Sequence, residues 1–382
     1  MSWQGAIVNH KHFKLNAKAL ALAALIAASA GGSALAADMP VKAPPKPKEV
    51  PFYFVNDTSI SGIWYFNATD PGVSGGSNIV PGGIFGEKNT FYRAQGAVDH
   101  FDVWEYGTDL AHLELDQYGP QDPILGEPGA VGSREFFGFW QSTLGFNELT
   151  HSKAFSNFLI KDASFMFRIT GGVQNNFLSE QTTQYAPGLW FDLNLPGVVG
   201  VGITAYKEFT HNEFNACGPA GFGDAQSPAA GLGGGGCAAP FAGSSFSGDR
   251  DFEWTWKIFG FVSEPLTFLP PSLPITFVDI LSVTGPKGTG ISTANCLAIG
   301  CFGPSGGFNN NESKTEVFED ARLSLDASKV FWGTPGIWDT YVGYRYWYNK
   351  FGTNHNAFLF ADIAPQTSIE STAYVGTTYH FK

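Results

Sequence analysis

Charge is scarce in this chain of 382 residues, and positive charge is the scarcer kind. Charged residues make up 15% of the sequence, whereas an ordinary soluble domain has about 25%. The 22 Lys and Arg residues are outnumbered by 34 Asp and Glu residues, which leaves a net charge of −12. Nucleic-acid-binding proteins need a basic surface, so this balance argues against a nucleic-acid partner.

Long apolar runs are also missing, which excludes a transmembrane helix. The longest apolar run lies near the N-terminus, after three lysines, and ends in the A-x-A pattern of Ala34, Leu35 and Ala36. It is too short to span a bilayer, and this arrangement predicts a secretory signal peptide over residues 1–36. Residues 37–51 are rich in Pro and Lys and are interpreted as an extended periplasmic leader. An exported chain without a membrane helix is either soluble or a β-barrel.

The sequence has no catalytic or cofactor motif in the context that its chemistry requires. It contains no H-E-x-x-H motif, and its two G-x-S-x-G matches, at 72–76 and 303–307, fall in predicted connections and not at a strand-to-helix turn. The Gly-rich stretch at 229–240 lacks the strand, helix and Lys of a phosphate loop. Membrane-barrel hydrolases exist, so His112 and nearby acids could form a catalytic cluster. We prefer to interpret them as polar groups of a barrel interior, and we expect neither an enzyme nor a bound cofactor.

Cysteine is rare, and its four positions are Cys217, Cys237, Cys296 and Cys301. The close spacing of the second pair could suggest zinc. No His or carboxylate lies near Cys296 or Cys301 in sequence, however, and we expect no metal site. Disulfides suit an exported protein. Of the three possible connectivities, we expect the local one, Cys217 with Cys237 and Cys296 with Cys301.

Aromatic residues and glycine are abundant, at 15% of the chain and 47 residues respectively. These residues disfavour helices, so the composition predicts an all-β protein. Apolar and polar residues alternate in many segments, as in 337–350, where Trp338, Val342 and Tyr344 share one face and Asp339 and Arg345 the other. A half-buried soluble strand alternates in the same way, but a lipid-facing barrel strand also needs about 9–11 such residues.

Twelve segments follow this pattern, and twelve is an even number, as in bacterial barrels. They begin near residues 58, 89, 108, 134, 162, 184, 199, 251, 275, 314, 337 and 368. The connections between them alternate between long and short, which is typical of extracellular loops and periplasmic turns. A secreted β-sandwich has no reason for such an alternation. We therefore predict a twelve-stranded antiparallel transmembrane β-barrel over residues 52–382 with long extracellular loops, located in the bacterial outer membrane among lipid and lipopolysaccharide.

The polar faces of these strands would line the lumen and contact a solute. They carry charges of both signs, whereas a ring of one sign would favour ions. The predicted lining residues are Arg93, Asp99, Glu114, Arg168, Glu253, Lys257, Asp320, Arg322, Asp339, Arg345, Trp347 and Asn349. The alternative is that these ionic groups only brace the barrel interior.

The run Tyr344 to Gly352, YRYWYNKFG, resembles the Y-x-Y-W-x-N-K-F-G signature of the nucleoside-specific channel family (Tsx/OmpK family) of Gram-negative outer membranes. Trp104 to Gly107 resembles a second motif of that family, although Thr108 stands where the family has Asp. The resemblance implies a monomeric twelve-stranded barrel with a narrow pore for nucleosides. Aromatic faces can stack on a nucleobase, and mixed polar groups can bind a sugar.

Other functions are compatible with the same sequence. The barrel could be a general porin, or a structural or surface-receptor barrel with a plugged lumen. In the last case the two longest loops could serve as a phage or colicin receptor. We favour a diffusion channel for small polar solutes, most of all nucleosides.

Overall fold

The structure is a computed structural model that describes residues 52–71, 74–75, 87–88, 90–122, 131–176, 180–211, 249–288, 313–352, 355 and 368–381. The predicted signal peptide, the leader and all four cysteines lie outside the described residues, so these predictions stay predictions. The described part is nearly all β-strand. None of its helices is long and apolar enough to cross a membrane.

The strands match the predicted segments closely. Their bounds are β1 Tyr53–Ala68, β2 Ser74–Gly75, β3 Glu87–Lys88, β4 Phe91–Trp104, β5 Gly107–Tyr118, β6 Arg134–Gly145, β7 Ile160–Gln174, β8 Gln181–Leu193, β9 Val198–His211, β10 Asp249–Asp251, β11 Thr255–Pro265, β12 Ile275–Thr284, β13 Glu316–Asp326, β14 Trp338–Tyr348 and β15 Ile369–Phe381. Two short helices, α1 Phe146–Thr150 and α2 Ala327–Trp332, follow β6 and β13.

These strands close into one antiparallel barrel. Each long strand pairs with its neighbours in the chain, β8 pairs with β9, and β1 pairs with both β4 and β15. The short β2 and β3 form a separate hairpin, and β10 extends the β11 side of the wall by pairing with β9. Among the described residues, each of the twelve long strands is paired on both sides, as a bilayer requires, and the predicted twelve-stranded barrel is confirmed.

Side chains alternate between an apolar outside and a polar inside. Leu115, Ile203 and Val342 point outward and are 64%, 53% and 57% exposed. Their neighbours Glu114 and Thr204 point inward and form hydrogen bonds inside the barrel. This alternation is what lipid on one side and a polar lumen on the other demand of a strand.

The two ends of the barrel differ. At one end β4 and β5 are joined by only Glu105 and Tyr106, and β8 and β9 by residues 194–197. The helices α1 and α2 lie at this end, where the Asp326 carboxylate caps α2 by accepting a hydrogen bond from the Lys329 N–H at 2.8 Å. The connections at the opposite end are longer, with the exception of residues 175–180 between β7 and β8. This inequality agrees with periplasmic turns and extracellular loops.

The alternation breaks before β11. The sequence pattern places Phe252 on the lipid face and Glu253 on the lumen face of a strand beginning near residue 251. In the structure residues 252–254 are not part of a strand, Phe252 is buried, and Glu253 is exposed. The Lys287 ammonium lies 4.5 Å from the Phe252 ring centroid. A cation held over this ring turns it inward, and this irregular segment shifts Glu253 off the lumen wall.

Candidate functional site

The lumen contains most of the residues predicted to line it. The inward faces of the strands carry Arg93, Asp99, Glu114, Arg168, Lys257, Asp320, Arg322, Asp339, Arg345 and Trp347. Asn349 lies just beyond the end of β14, where its side chain donates to the Thr315 carbonyl at 2.8 Å. Glu253 is the exception described above.

Cations in the lumen stack on aromatic rings. The Tyr65 ring lies between two guanidinium groups, with Arg93 at 3.9 Å and Arg345 at 4.6 Å from its centroid. Across the barrel, Arg168 lies 3.6 Å from the Phe139 centroid. Such contacts become stronger when water is excluded, so they hold the long cationic side chains against the wall.

Two of these cations, Arg345 and Arg93, are also paired with carboxylates. Arg345 donates from Nε to Asp320 at 2.8 Å, and Asp320 also accepts a hydrogen bond from the Tyr374 hydroxyl. Arg93 lies 3.9 Å from Asp116 and 3.8 Å from Glu370. The charges of these two arginines are therefore neutralised locally, and this part of the lumen wall offers hydrogen-bonding groups without a strong field of one sign.

Nearer the periplasmic end, two histidines are each flanked by two acids. His112 contacts Asp99 at 2.6 Å and Glu114 at 2.9 Å. His380 contacts Asp57 at 2.8 Å in the same manner. The Asp99 and Asp57 side chains are 34% and 33% exposed, so water reaches this half of the lumen.

Toward the extracellular side, by contrast, the lumen contains two clusters of inward-facing side chains that are closed to water. Tyr65 and Tyr118 belong to one cluster and Met166 and Tyr206 to the other, and all four are at most 2% exposed. Gly343 makes room for this packing, because a Cβ atom there would lie 2.2 Å from the Tyr374 ring. Side chains without water-accessible surface do not line an open pore, so this layer is closed in the structure.

Trp347, in the family-like motif, is already in contact with protein groups. Its indole Nε1 donates to Glu316 at 2.6 Å, and its ring lies 5.3 Å from Phe318 and 5.2 Å from Phe351, measured between centroids. Trp347 faces inward as predicted, but a nucleobase could stack on it only where these neighbours leave its face free.

The extracellular mouth contains a polar cluster that sequence reasoning missed. It consists of Asp70, Asp122, Gln174, Asn176, Lys350 and Glu370, which we call the mouth cluster; all are at most 3% exposed. Most of them lie at strand ends or in connections, where no periodicity marks a residue as inward. Lys350 is the only member with a sequence signal, since it belongs to the family-like motif.

Burial perturbs two ionisable groups of this cluster, Asp122 and Lys350, which lie outside the strands. Burial, with the nearby Asp70 carboxylate, raises the pKa of Asp122 to about 8. Burial alone would lower the pKa of Lys350, but the Asp70 and Glu370 carboxylates outweigh it and hold that pKa above its usual value. Among the described residues, no group of three or more His, Cys, Asp or Glu residues is placed to hold a metal ion.

Comparison with known proteins identifies no family for this chain. No family model matches it, and no curated protein sequence matches it. The resemblance to the nucleoside-specific channel family therefore stays a prediction.

Three solved barrels illustrate the structural likeness. The translocator domain of the autotransporter NalP from Neisseria meningitidis is 10% identical, with a TM-score of 0.36 over 86% of this chain and 89% of that chain. The beta domain of the Bordetella autotransporter Brka is 9% identical, with a TM-score of 0.29 over 85% and 98%. The outer membrane protein opdK from Pseudomonas aeruginosa is 10% identical, with a TM-score of 0.20 over 87% and 100%. These TM-scores are too low to assign a family or a function to this chain.

The strand pairing itself decides the class of protein. A closed barrel with an even number of strands, an apolar outer surface and a polar interior is the architecture of bacterial outer-membrane proteins. The predicted location in the bacterial outer membrane is confirmed by this architecture.

Proposed function

We propose that this barrel is a diffusion channel for small, uncharged polar solutes, and that nucleosides are the preferred class. The observation that carries the proposal is the pairing of charges along the lumen wall, exemplified by Arg345 with Asp320. Paired charges do not select for ions of either sign. They still leave hydrogen-bond donors and acceptors for the hydroxyl and amide groups of a solute. In this proposal the protein acts as a monomer surrounded by lipid and lipopolysaccharide, and it catalyses no reaction.

A nucleoside suits such a wall because it combines a flat base with a hydroxylated sugar. Stacking of a base on an aromatic side chain contributes about 1–3 kcal/mol. Phe137 on β6 offers an inward ring beside His112 and the partly exposed Asp99. A solute held too tightly would not be released, so we expect weak binding and a small conductance.

A second candidate is a structural or receptor barrel with a plugged lumen. The observation in its favour is the closed layer around Tyr65 and Tyr118, whose side chains are each 1% exposed. Such a protein would act through its extracellular loops, for example as a phage or colicin receptor, and would conduct no solute.

Reconstitution separates these functions. Purified protein in planar bilayers should give small single-channel currents that added nucleoside blocks in part, and in liposomes it should speed the swelling caused by nucleoside uptake. Large currents that no nucleoside blocks would indicate a general porin. The absence of current and of swelling, in protein that migrates as a folded barrel on unheated gels, would favour the plugged barrel.

A further inference from the structure

A tight turn after β14 directs a lysine into the extracellular mouth of the barrel. Asn349, Phe351 and Gly352 have φ angles of 50°, 60° and 75°, in the left-handed region. Asn and Gly tolerate this conformation, whereas Phe adopts it at a cost. The turn between them carries Lys350, whose side chain is 2% exposed. A strained turn of this kind persists only where surrounding contacts hold it.

Those contacts bind all three donors of the Lys350 ammonium. Its Nζ atom lies 2.6 Å from an Asp70 carboxylate oxygen and donates to the Thr69 carbonyl at 3.0 Å. It also donates to the Glu370 carboxylate on β15. Both carboxylate side chains are at most 1% exposed, so the three charged groups form an ion cluster without water.

Asp70 connects this ion cluster to the opposite side of the lumen. It follows β1, yet its second carboxylate oxygen accepts a hydrogen bond at 2.7 Å from the Gln174 amide at the end of β7. Three strands, β4, β5 and β6, separate β1 from β7 around the wall. A direct contact between the two must therefore pass over the mouth.

The β7 side is tied in turn to the loop after β5. The Asn176 amide donates to both carboxylate oxygens of Asp122, at 3.2 and 3.1 Å, and the Ser133 hydroxyl donates to Asp122 at 2.6 Å. The described residues that follow β1, β5, β7 and β14 are thus joined in one buried network at the extracellular end of the barrel.

We propose that the ion cluster of Lys350, Asp70 and Glu370 is the latch of an extracellular gate, which must open before a solute enters the lumen. The inference rests on the proposed channel function, because it names how that channel is regulated. Removing one partner of a buried ion pair strongly destabilises the contact, whereas a surface pair contributes little. Loss of the latch should therefore shift the mouth toward an open state.

The first test is conductance. Lys350→Met keeps the length of the side chain and removes the charge, and Asp70→Asn keeps the shape of the partner and removes its charge. Each should raise the open probability of single channels in planar bilayers by about tenfold or more. Lys329→Met, in the periplasmic helix α2, is the matched control and should leave the open probability unchanged.

The second test does not depend on conduction. The Thr372 side chain points into the lumen below the latch and is 1% exposed. A Thr372→Cys substitution should react slowly with a membrane-impermeant thiol reagent in otherwise native protein. It should react at least about tenfold faster when Lys350→Met is added. Labelling of the same proteins without Thr372→Cys measures the background from the native cysteines.

The outcomes separate the latch from the channel. If native protein conducts and neither latch variant changes open probability or labelling, the latch is refuted and the channel stands. If neither the native protein nor any variant conducts, but Lys350→Met or Asp70→Asn accelerates labelling, the latch is supported and the proposed channel function is refuted. If either variant fails to migrate as a folded barrel, the other variant decides by the same two measurements.

Discussion

Removing Arg345 should destabilise the barrel far more than removing a cation from its outer surface. Arg345 donates to Asp320 at 2.8 Å and stacks on Tyr65, and the side chains of the ion pair are only 13% and 12% exposed. Arg345→Met leaves Asp320 with the Tyr374 hydroxyl but without a cation. Losing one partner of a buried pair costs about 3–5 kcal/mol, and the partial exposure here favours the lower end, about 3 kcal/mol.

The assay is the free energy of unfolding in urea, measured in lipid vesicles under conditions where unfolding is reversible. The double variant Arg345→Met/Asp320→Asn should recover much of the loss, because no unpaired buried charge remains. Lys329→Met is the control: Lys329 lies exposed in helix α2, so we expect a loss of about 0.5 kcal/mol or less. A loss below about 1 kcal/mol for Arg345→Met would refute the reasoning that the lumen pairs are strongly coupled.

Three further predictions follow from the lumen, the mouth and the exported loops. Trp347→Ala should relieve the block of the channel current by added nucleoside, whereas Tyr346→Ala, on the lipid face, should leave that block intact. Equal effects of the two substitutions in conductance titrations would show that the inward Trp347 ring does not contact the nucleoside. Because the pKa of Asp122 is raised to about 8 in the folded protein, the fold favours the protonated acid, so stability should fall as pH rises toward 8 and should level off above that pH. Asp122→Asn should reduce the difference between the free energies of unfolding measured in urea at pH 6 and pH 9. An unchanged difference would show that another group causes the pH dependence. Finally, thiol titration of native, unreduced protein should find none of the four cysteines free, and any labelled position would contradict the expected disulfides.

The amino-acid sequence by itself determined the strands and which side of each strand faces lipid. In β14, Val342 and Tyr344 face outward and Arg345 faces inward, as the alternation of the sequence predicts. This is a local property, because successive side chains of a strand point to opposite faces wherever the strand lies. The even number of strands and the unequal connections then led to the barrel and its membrane.

Only the tertiary structure decided what happens inside the barrel. The contact between Asp70 and Gln174 joins residues 104 positions apart in the chain, and no local pattern encodes such a distance. Phe252 turns inward because Lys287, on a neighbouring connection, lies over its ring. Trp347 lies on the predicted face, yet Glu316 and Phe318 already contact it. Whether a polar inner face is an open wall or a closed layer depends on side chains that meet across the lumen, and those meet only when the barrel closes.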